Sequence, residues 1–343
     1  MSPAIGRAKL SVLDIAPVRA GATPASALAT TLALARRAEE LGFARFWVAE
    51  HHAMPNIASS SPAVLVAAIA AATSRIRVGS GGVMLPNHPP LVVAEAFATL
   101  VALFGDRVDL GIGRAPGTAP PVVRALRRSP DERFDEDLAD LRRFIHGGFP
   151  PDHPFHGLTA MPATEAKPDL WLLGASAGSA AKAGALGLPY VFGHNFFGGS
   201  GTAAAVAAYR EAFRPSPQLA EPRVMVAVHV VCGKDDAHGR WLAIPAVVPV
   251  IGLGGATPDR PLPSPEDAAA QPWTAEQRKR ADELLAPQAV GGPEKVRRDL
   301  ERLVELTDPD ELIITNNVTD PEEKLRSLER VRELADEVPE DRP

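Results

Sequence analysis

The chain has 343 residues, 45% hydrophobic and 23% charged, enough for one large buried core of the size that α/β barrels reach as a single domain. A formal net charge of -6 gives no basic footprint, which argues against nucleic acid and membrane surfaces and leaves a small molecule as the expected partner. The single cysteine, Cys232, excludes a disulfide framework and a cysteine-based metal site, gives no sign of a cysteine nucleophile, and suits a reducing compartment.

The opening residues, MSPAIGRAKLSVLD, have no apolar h-region. The weakly polar stretch Ala63 to Ala72 ends in Thr73-Ser74-Arg75, short of the roughly 18 apolar residues of a membrane span. A cytoplasmic protein is the expectation. From Leu10 onward, short runs rich in Val, Ile and Leu alternate with longer amphipathic segments, the pattern of βα units around a parallel sheet. In chain order it predicts strand Leu10 to Asp14, helix Ala25 to Leu41, strand Arg45 to Ala49, helix Pro62 to Thr73, strand Arg75 to Met84, helix Leu91 to Phe104 and strand Val108 to Gly111. Gly42 stands where a C′ glycine belongs. The second half predicts helix Asp131 to Ile145, strand Asp169 to Leu173, helix Ser179 to Leu186, strand Tyr190 to Phe192, helix Thr202 to Phe213 and strand Arg223 to Val231. A last strand, Glu311 to Thr315, precedes a charged helix, Pro321 to Val338.

Eight strands with interleaved helices, and no GxGxxG after the first, favour one closed (β/α)8 TIM barrel over residues 1–343 rather than an open doubly wound sheet. Two stretches dense in Pro, Gly and Asp, 147–168 and 245–272, break the rhythm and are expected to be insertion loops. The second is expected to be a mobile lid or an interface loop.

Four segments carry candidate chemistry. After the fifth strand, Leu172-Leu173-Gly174-Ala175-Ser176-Ala177-Gly178-Ser179-Ala180 places two serines and two glycines where a strand turns into a helix. Outward-pointing N–H groups there, with the hydroxyls of Ser176 and Ser179, suit a phosphate; the same serines would also serve as a plain helix cap. After the fourth strand, Arg114 follows Gly111-Ile112-Gly113 and can reach a phosphate with a forked contact, or pair with Asp106 or Asp109. The second strand ends in Glu50-His51-His52. Neighbouring strand residues face opposite ways, so one imidazole is expected to enter the barrel mouth for acid/base or hydrogen-bonding work, and a shared metal is disfavoured. A metal-dependent hydrolase using Glu50, His51 and His52 is the rival reading of that segment. Gly79, Gly81 and Gly82 interrupt the third strand, through close strand packing or the approach of a flat ring.

Taken in order, WVAEHHAMPNIASSSP, RIRVGSGGVMLPNHPPLVVAE, RVDLGIGRAPG and LLGASAGSAAKAGALGLP resemble the bacterial luciferase-like, flavin-dependent monooxygenases. The resemblance covers most of the chain from Leu10 to about Pro189. It implies an FMN phosphate held by Arg114, Ser176 and Ser179 with main-chain groups around Gly174 and Ala175. The flavin ring would lie against the third strand at Gly81, Gly82 and Met84, with a non-prolyl cis peptide between Gly81 and Gly82. His51 falls where luciferases place a histidine that assists breakdown of the flavin peroxide, so it is the expected catalytic residue. Gly113 stands where luciferases carry a reactive cysteine, which argues against light emission.

The implied reaction is oxygenation of a small organic substrate by O2 through a flavin hydroperoxide, with reduced FMN supplied by a separate NAD(P)H-dependent flavin reductase. An F420-dependent dehydrogenase on the same barrel and a non-catalytic flavin-binding barrel are the alternatives. The family commonly forms homodimers, and a homodimer is expected here. Met84, Asn87, His88, His194, Asn195 and Phe196 are candidate pocket residues that specify no substrate.

Overall fold

The computed structural model describes residues 4–126, 131–194, 199–252 and 260–336. In chain order the elements are β1 (Lys9–Asp14), α1 (Pro24–Glu40), β2 (Arg45–Val48), α2 (Pro62–Ala72), β3 (Arg77–Met84), α3 (Pro90–Phe104), β4 (Val108–Gly113), α4 (Pro120–Ala125) and α5 (Phe134–His146). They continue with β5 (Asp169–Gly174), α6 (Ala177–Ala185), β6 (Tyr190–Gly193), α7 (Thr202–Ala212), β7 (Val224–Cys232), α8 (Asp236–Ile251), α9 (Pro265–Ala269) and α10 (Ala275–Leu285). β8 (Ala289–Gly291), α11 (Pro293–Thr307), β9 (Glu311–Thr315) and α12 (Pro321–Asp336) complete the chain. The high proline content does not break these helices because so much of it lies at their starts. α1, α2, α3, α4, α9 and α11 each have proline in the first two positions, where no intrahelical N–H bond is lost.

Every strand pairing is parallel, and the pairings β1–β9, β7–β9 and β6–β7 close the ring into an eight-stranded barrel. The ninth strand, β8, extends only the end of β7, pairing at Val230 to Cys232. Alternation along each strand separates two cores. Val12, Phe46, Val48, Val78, Leu110, Ile112, Leu172, Val226 and Ile314 face outward into the helical shell, whereas Trp47, Trp171, Val191, Met225, Ala227 and Ile313 fill the barrel with Leu13 and Leu173.

Below that apolar layer, at the N-terminal ends of the strands, lies a buried ion lattice. Arg45 bonds Asp109 at 2.7 Å and Glu311 at 3.1 Å, Arg77 bonds Asp109 at 2.6 Å, and the Trp47 indole N–H donates to Asp109 at 2.8 Å. Arg45 and Arg223 lie over the Trp171 ring at 5.0 and 4.9 Å. A second buried pair joins the two ends of the chain. Lys324 of α12 reaches Asp14 of β1 at 2.5 Å, and Thr31 of α1 donates to the same carboxylate at 2.6 Å.

The eight predicted barrel strands are all present, and Gly42 has the positive φ of a C′ residue. The 245–272 stretch departs from expectation. Pro245 and Pro249 lie inside α8, and the stretch goes on through α9, so it is largely helical among the described residues. Ile244, Val247, Val248, Leu285 and Trp273 pack these helices together, and that packing overrides the local proline signal. The sequence reading also missed α4, α10, β8 and α11. The 147–168 stretch holds no helix or strand. Among the described residues, no helix is long and apolar enough to cross a membrane.

Candidate active site

Above the apolar layer the inward-facing positions become small. Continuing the alternation from Trp47, Gly111 and Val191 places Ala49, Gly113 and Gly193 around the C-terminal rim. Gly81 joins them: a Cβ there would lie 2.8 Å from Leu13 Cδ1 and 3.0 Å from Trp47 Cε3, so Leu13 would have to move aside and the Trp47 ring would be crowded. The Gly81–Gly82 peptide is cis, and the β3–β4 register shifts between Ser80 and Val83. Strand packing alone demands glycine in the middle of this pair. A Cβ would meet the Asp109 carbonyl oxygen at 2.4 Å from Gly79, the Gly111 carbonyl oxygen at 2.7 Å from Gly82, and the Ser80 carbonyl oxygen at 2.2 Å from Gly111. Gly113 is different, because its nearest neighbour is the Met84 sulfur at 2.9 Å, the end of a flexible side chain.

The two imidazoles expected at the end of β2 lie in the loop beyond it, since the strand stops at Val48, and they part company. His52 Nε2 bonds Glu50 Oε1 at 2.7 Å. His51 donates its backbone N–H to the Ser59 carbonyl at 2.9 Å, and its buried ring Nδ1 has no protein partner. Burial pushes the His51 pKa down, against the opposing pull of the Glu50 charge, so the ring is neutral at pH 7. The sequence reading assigned Glu50 only to a metal site. In the structure it is fully buried, and its Oε1 also accepts from His88 Nε2 at 2.9 Å and Asn87 Nδ2 at 3.2 Å. Glu50, His52 and His88 bring three metal-capable atoms together. Their N–O separations of 2.7 and 2.9 Å are nonetheless hydrogen bonds, tighter than the roughly 3.3 Å between ligands of a tetrahedral ion bound at ~2.0–2.1 Å.

The phosphate segment forms at the start of α6. Ser176 is the N-cap: its hydroxyl accepts from Ser179 N at 3.2 Å, while the Ser179 hydroxyl accepts from Ser176 N at 3.3 Å. These serines therefore cap the helix, as the plainer reading had it, and they remain at the surface. Tyr190 OH backs the box at 2.9 Å from Ser179 Oγ; burial raises its pKa to about 12, so it stays a neutral phenol. Gly174 makes room for this contact, since a Cβ there would sit 2.2 Å from Ser179 Oγ. Arg114 is exposed, one residue beyond β4. β4 and β5 are neighbours, pairing Ile112 with Leu172, so Arg114 and the Gly174 to Ser179 turn leave adjacent strand ends.

Two other histidines line this end of the barrel. Both ring nitrogens of His194 are engaged, by Thr202 Oγ1 at 2.8 Å and the Pro287 carbonyl at 2.9 Å, which makes it a structural tie. Asn195 and Phe196 lie outside the described residues. His229, two residues beyond Ala227 on β7, was not singled out from sequence. It is buried, its Nε2 has no protein partner, and burial lowers its pKa to about 4. A lone histidine in the apolar run VMVAVHVVC gives no single-sequence signal. Cys232 is buried, which raises its thiol pKa to about 11 and leaves it unreactive.

A closed parallel barrel whose chemistry-bearing side chains stand on the C-terminal ends of its strands defines a (β/α)8-barrel enzyme architecture. The particular family is the luciferase-like monooxygenases, to which the chain belongs: the family model matches residues 9–308. A luciferase-like monooxygenase of Escherichia coli strain K12 is 37% identical over 301 residues, 87% of this chain and 88% of that one. The crystal structure of apo-MsnO8 superposes with a TM-score of 0.85 at 39% identity, covering 98% of this chain and all of that one. The fold alone is shared with two more distant structures. One is the FMN complex of the oxygenating constituent of 3,6-diketocamphane monooxygenase of Pseudomonas putida (19% identity, TM-score 0.69, 96% and 98% covered). The other is an F420-dependent secondary alcohol dehydrogenase (17%, 0.64, 96% and 100%).

Proposed function

We propose that the protein is a flavin-dependent monooxygenase that uses reduced FMN and O2 to oxygenate a small organic substrate. The observation that carries this reading is the change of side-chain size at the barrel mouth: the inward positions Ala49, Gly81, Gly113 and Gly193 are small and stand above a filled apolar layer, an arrangement that suits a flat ring. At its edge the α6 N-terminus and Arg114 offer donors to a phosphate. In this reading Arg114, Ser176, Ser179 and the backbone of Gly174 and Ala175 hold the phosphate, and Gly81, Gly82 and Met84 back the ring.

Bound reduced FMN supplies activation of dioxygen, which no amino-acid side chain provides. The chain's own contribution is to orient, desolvate and move a proton. His51, neutral and with Nδ1 unengaged by protein, can accept a proton at that atom and return it. A separate NAD(P)H-dependent reductase would deliver the reduced flavin. We also propose a homodimer through α2 and α3, on whose surfaces Val64, Val92 and Leu103 are exposed.

The test is oxygen uptake and cofactor affinity measured side by side. Reduced FMN should support oxygen consumption coupled to product formation, and Arg114→Ala should weaken FMN binding by about 1.5–3 kcal/mol, the scale of a charged hydrogen bond. Tight binding of F420 with no affinity for FMN would replace this reading with hydride transfer.

A further inference from the structure

The Glu50 carboxylate joins the loops that follow three consecutive strands. From the β2 loop it accepts His52 Nε2–H; from the β3 loop it accepts His88 Nε2–H and the Asn87 amide at Oε1 and the Met84 backbone N–H at Oε2, the last at 3.1 Å. The β4 loop is tied in at one remove. Asn87 also donates to the Pro116 carbonyl at 3.2 Å, His52 N–H donates to the Gly117 carbonyl at 3.1 Å, and Thr118 donates to the His52 carbonyl at 2.7 Å. Burial alone would raise the Glu50 pKa, but the imidazole and backbone donors pull it below the usual range, so the group is anionic. A carboxylate with four N–H donors and no water contact is rigid, and it sits between two parts of the mouth that must keep register: Met84 at the end of the Gly81–Gly82 segment, and its own chain neighbour His51.

We propose that Glu50 is a positioning residue, whose buried carboxylate fixes the Gly81–Met84 backbone and the His51 ring in one relation to each other. This rests on the functional reading of the mouth given above. The anchoring has an electrostatic side that a merely structural role lacks. The titratable groups acting on His51 are Glu50, which favours its protonated form, and His52, which opposes it; His88 acts on Glu50. Removing the Glu50 charge therefore makes His51 harder to protonate.

The experiment pairs NMR with kinetics on the intact protein and its Glu50→Gln variant. Gln keeps one carbonyl but turns an NH2 group toward the donors. In flavin-free protein the His51 ring should titrate at least about half a pH unit lower in the variant, and the Met84 amide should exchange faster with solvent. With reduced FMN, kcat should fall roughly 10- to 100-fold while flavin affinity stays within about threefold, because a misplaced group slows chemistry more than binding. Glu50→Asp keeps the charge and shortens the reach; it should leave the His51 titration near wild type yet lower kcat about tenfold, and it carries the test if Glu50→Gln does not fold. An unmoved His51 titration and Met84 exchange in Glu50→Gln, or an unchanged kcat in both variants, overturns the proposal. If the wild-type protein itself shows no turnover with reduced FMN, the functional reading falls, and the two NMR readouts still decide whether Glu50 sets the His51 environment.

Discussion

The two ends of the barrel are built on opposite terms. At the N-terminal end every buried charge has an answering one: Arg45, Asp109 and Glu311, each at most 3% exposed, form a continuous lattice closed over by Trp47 and Trp171. At the C-terminal end the interior side chains shrink, and buried polar atoms lack protein partners, among them His51 Nδ1, Asn56 Oδ1, Asn87 Oδ1, His229 Nε2 and Thr319 Oγ1. Low dielectric makes unpaired polar groups costly. The contrast separates an end whose paired charges hold the barrel shut from one whose interior narrows to small residues, and two exceptions at the mouth, the Glu50 cluster and the Lys324–Asp14 pair, tie elements together there.

That contrast can be broken from either end. The largest effect should come from Asp109→Asn, which leaves Arg45 and Arg77 short of a buried counter-charge; denaturant unfolding should show a loss of about 3–5 kcal/mol with flavin affinity unchanged. A loss under 1 kcal/mol would mean the lattice is not what secures that end. Next comes acid. His229 is neutral in the fold with a pKa of about 4 against about 6.5 unfolded, so the unfolded chain takes up the proton first as pH falls. The neutral ring costs nothing above about pH 6.5; stability then declines between about 6.5 and 4 by roughly 3 kcal/mol and levels off below. His229→Asn should flatten that part of the stability profile, and an unaltered profile would show that His229 does not titrate as described.

Smaller effects should distinguish glycines required by the barrel wall from those at its rim. Gly111→Ala drives a Cβ against the Ser80 backbone and should destabilise by about 1–3 kcal/mol. Gly113→Ala meets only the Met84 sulfur, which can swing aside, and should stay within about 1 kcal/mol while altering flavin affinity or turnover. Equal stability losses in thermal and denaturant melts would erase the distinction.

The barrel strands were legible because short β-branched runs between glycines leave little choice of structure, and a closed parallel ring follows from eight of them. The charged segment 293–307 is a strongly amphipathic helix whose period was there to read, whereas α8 was hidden by its two internal prolines, tolerated through tertiary packing. At the site, Ser176 and Ser179 announced a helix start, and the structure gives them that role. Glu50 was visible only as the neighbour of two histidines. Its partners Met84, Asn87 and His88 come from the end of the next strand and the loop after it, and no local spacing encodes a contact made 34 to 38 residues away. His229 and Tyr190 were silent for the same reason: their meaning lies in burial and in the groups opposite them.

The Lys324–Asp14 pair has a consequence for biosynthesis. The aspartate emerges from the ribosome 310 residues before its lysine. At ~5–20 residues per second, β1 waits roughly 15–60 s for the counter-charge that lets it be buried. The ring therefore locks only once the last helix has arrived, so a message truncated before α12 should yield a chain that chaperones and proteases recognise as unfinished.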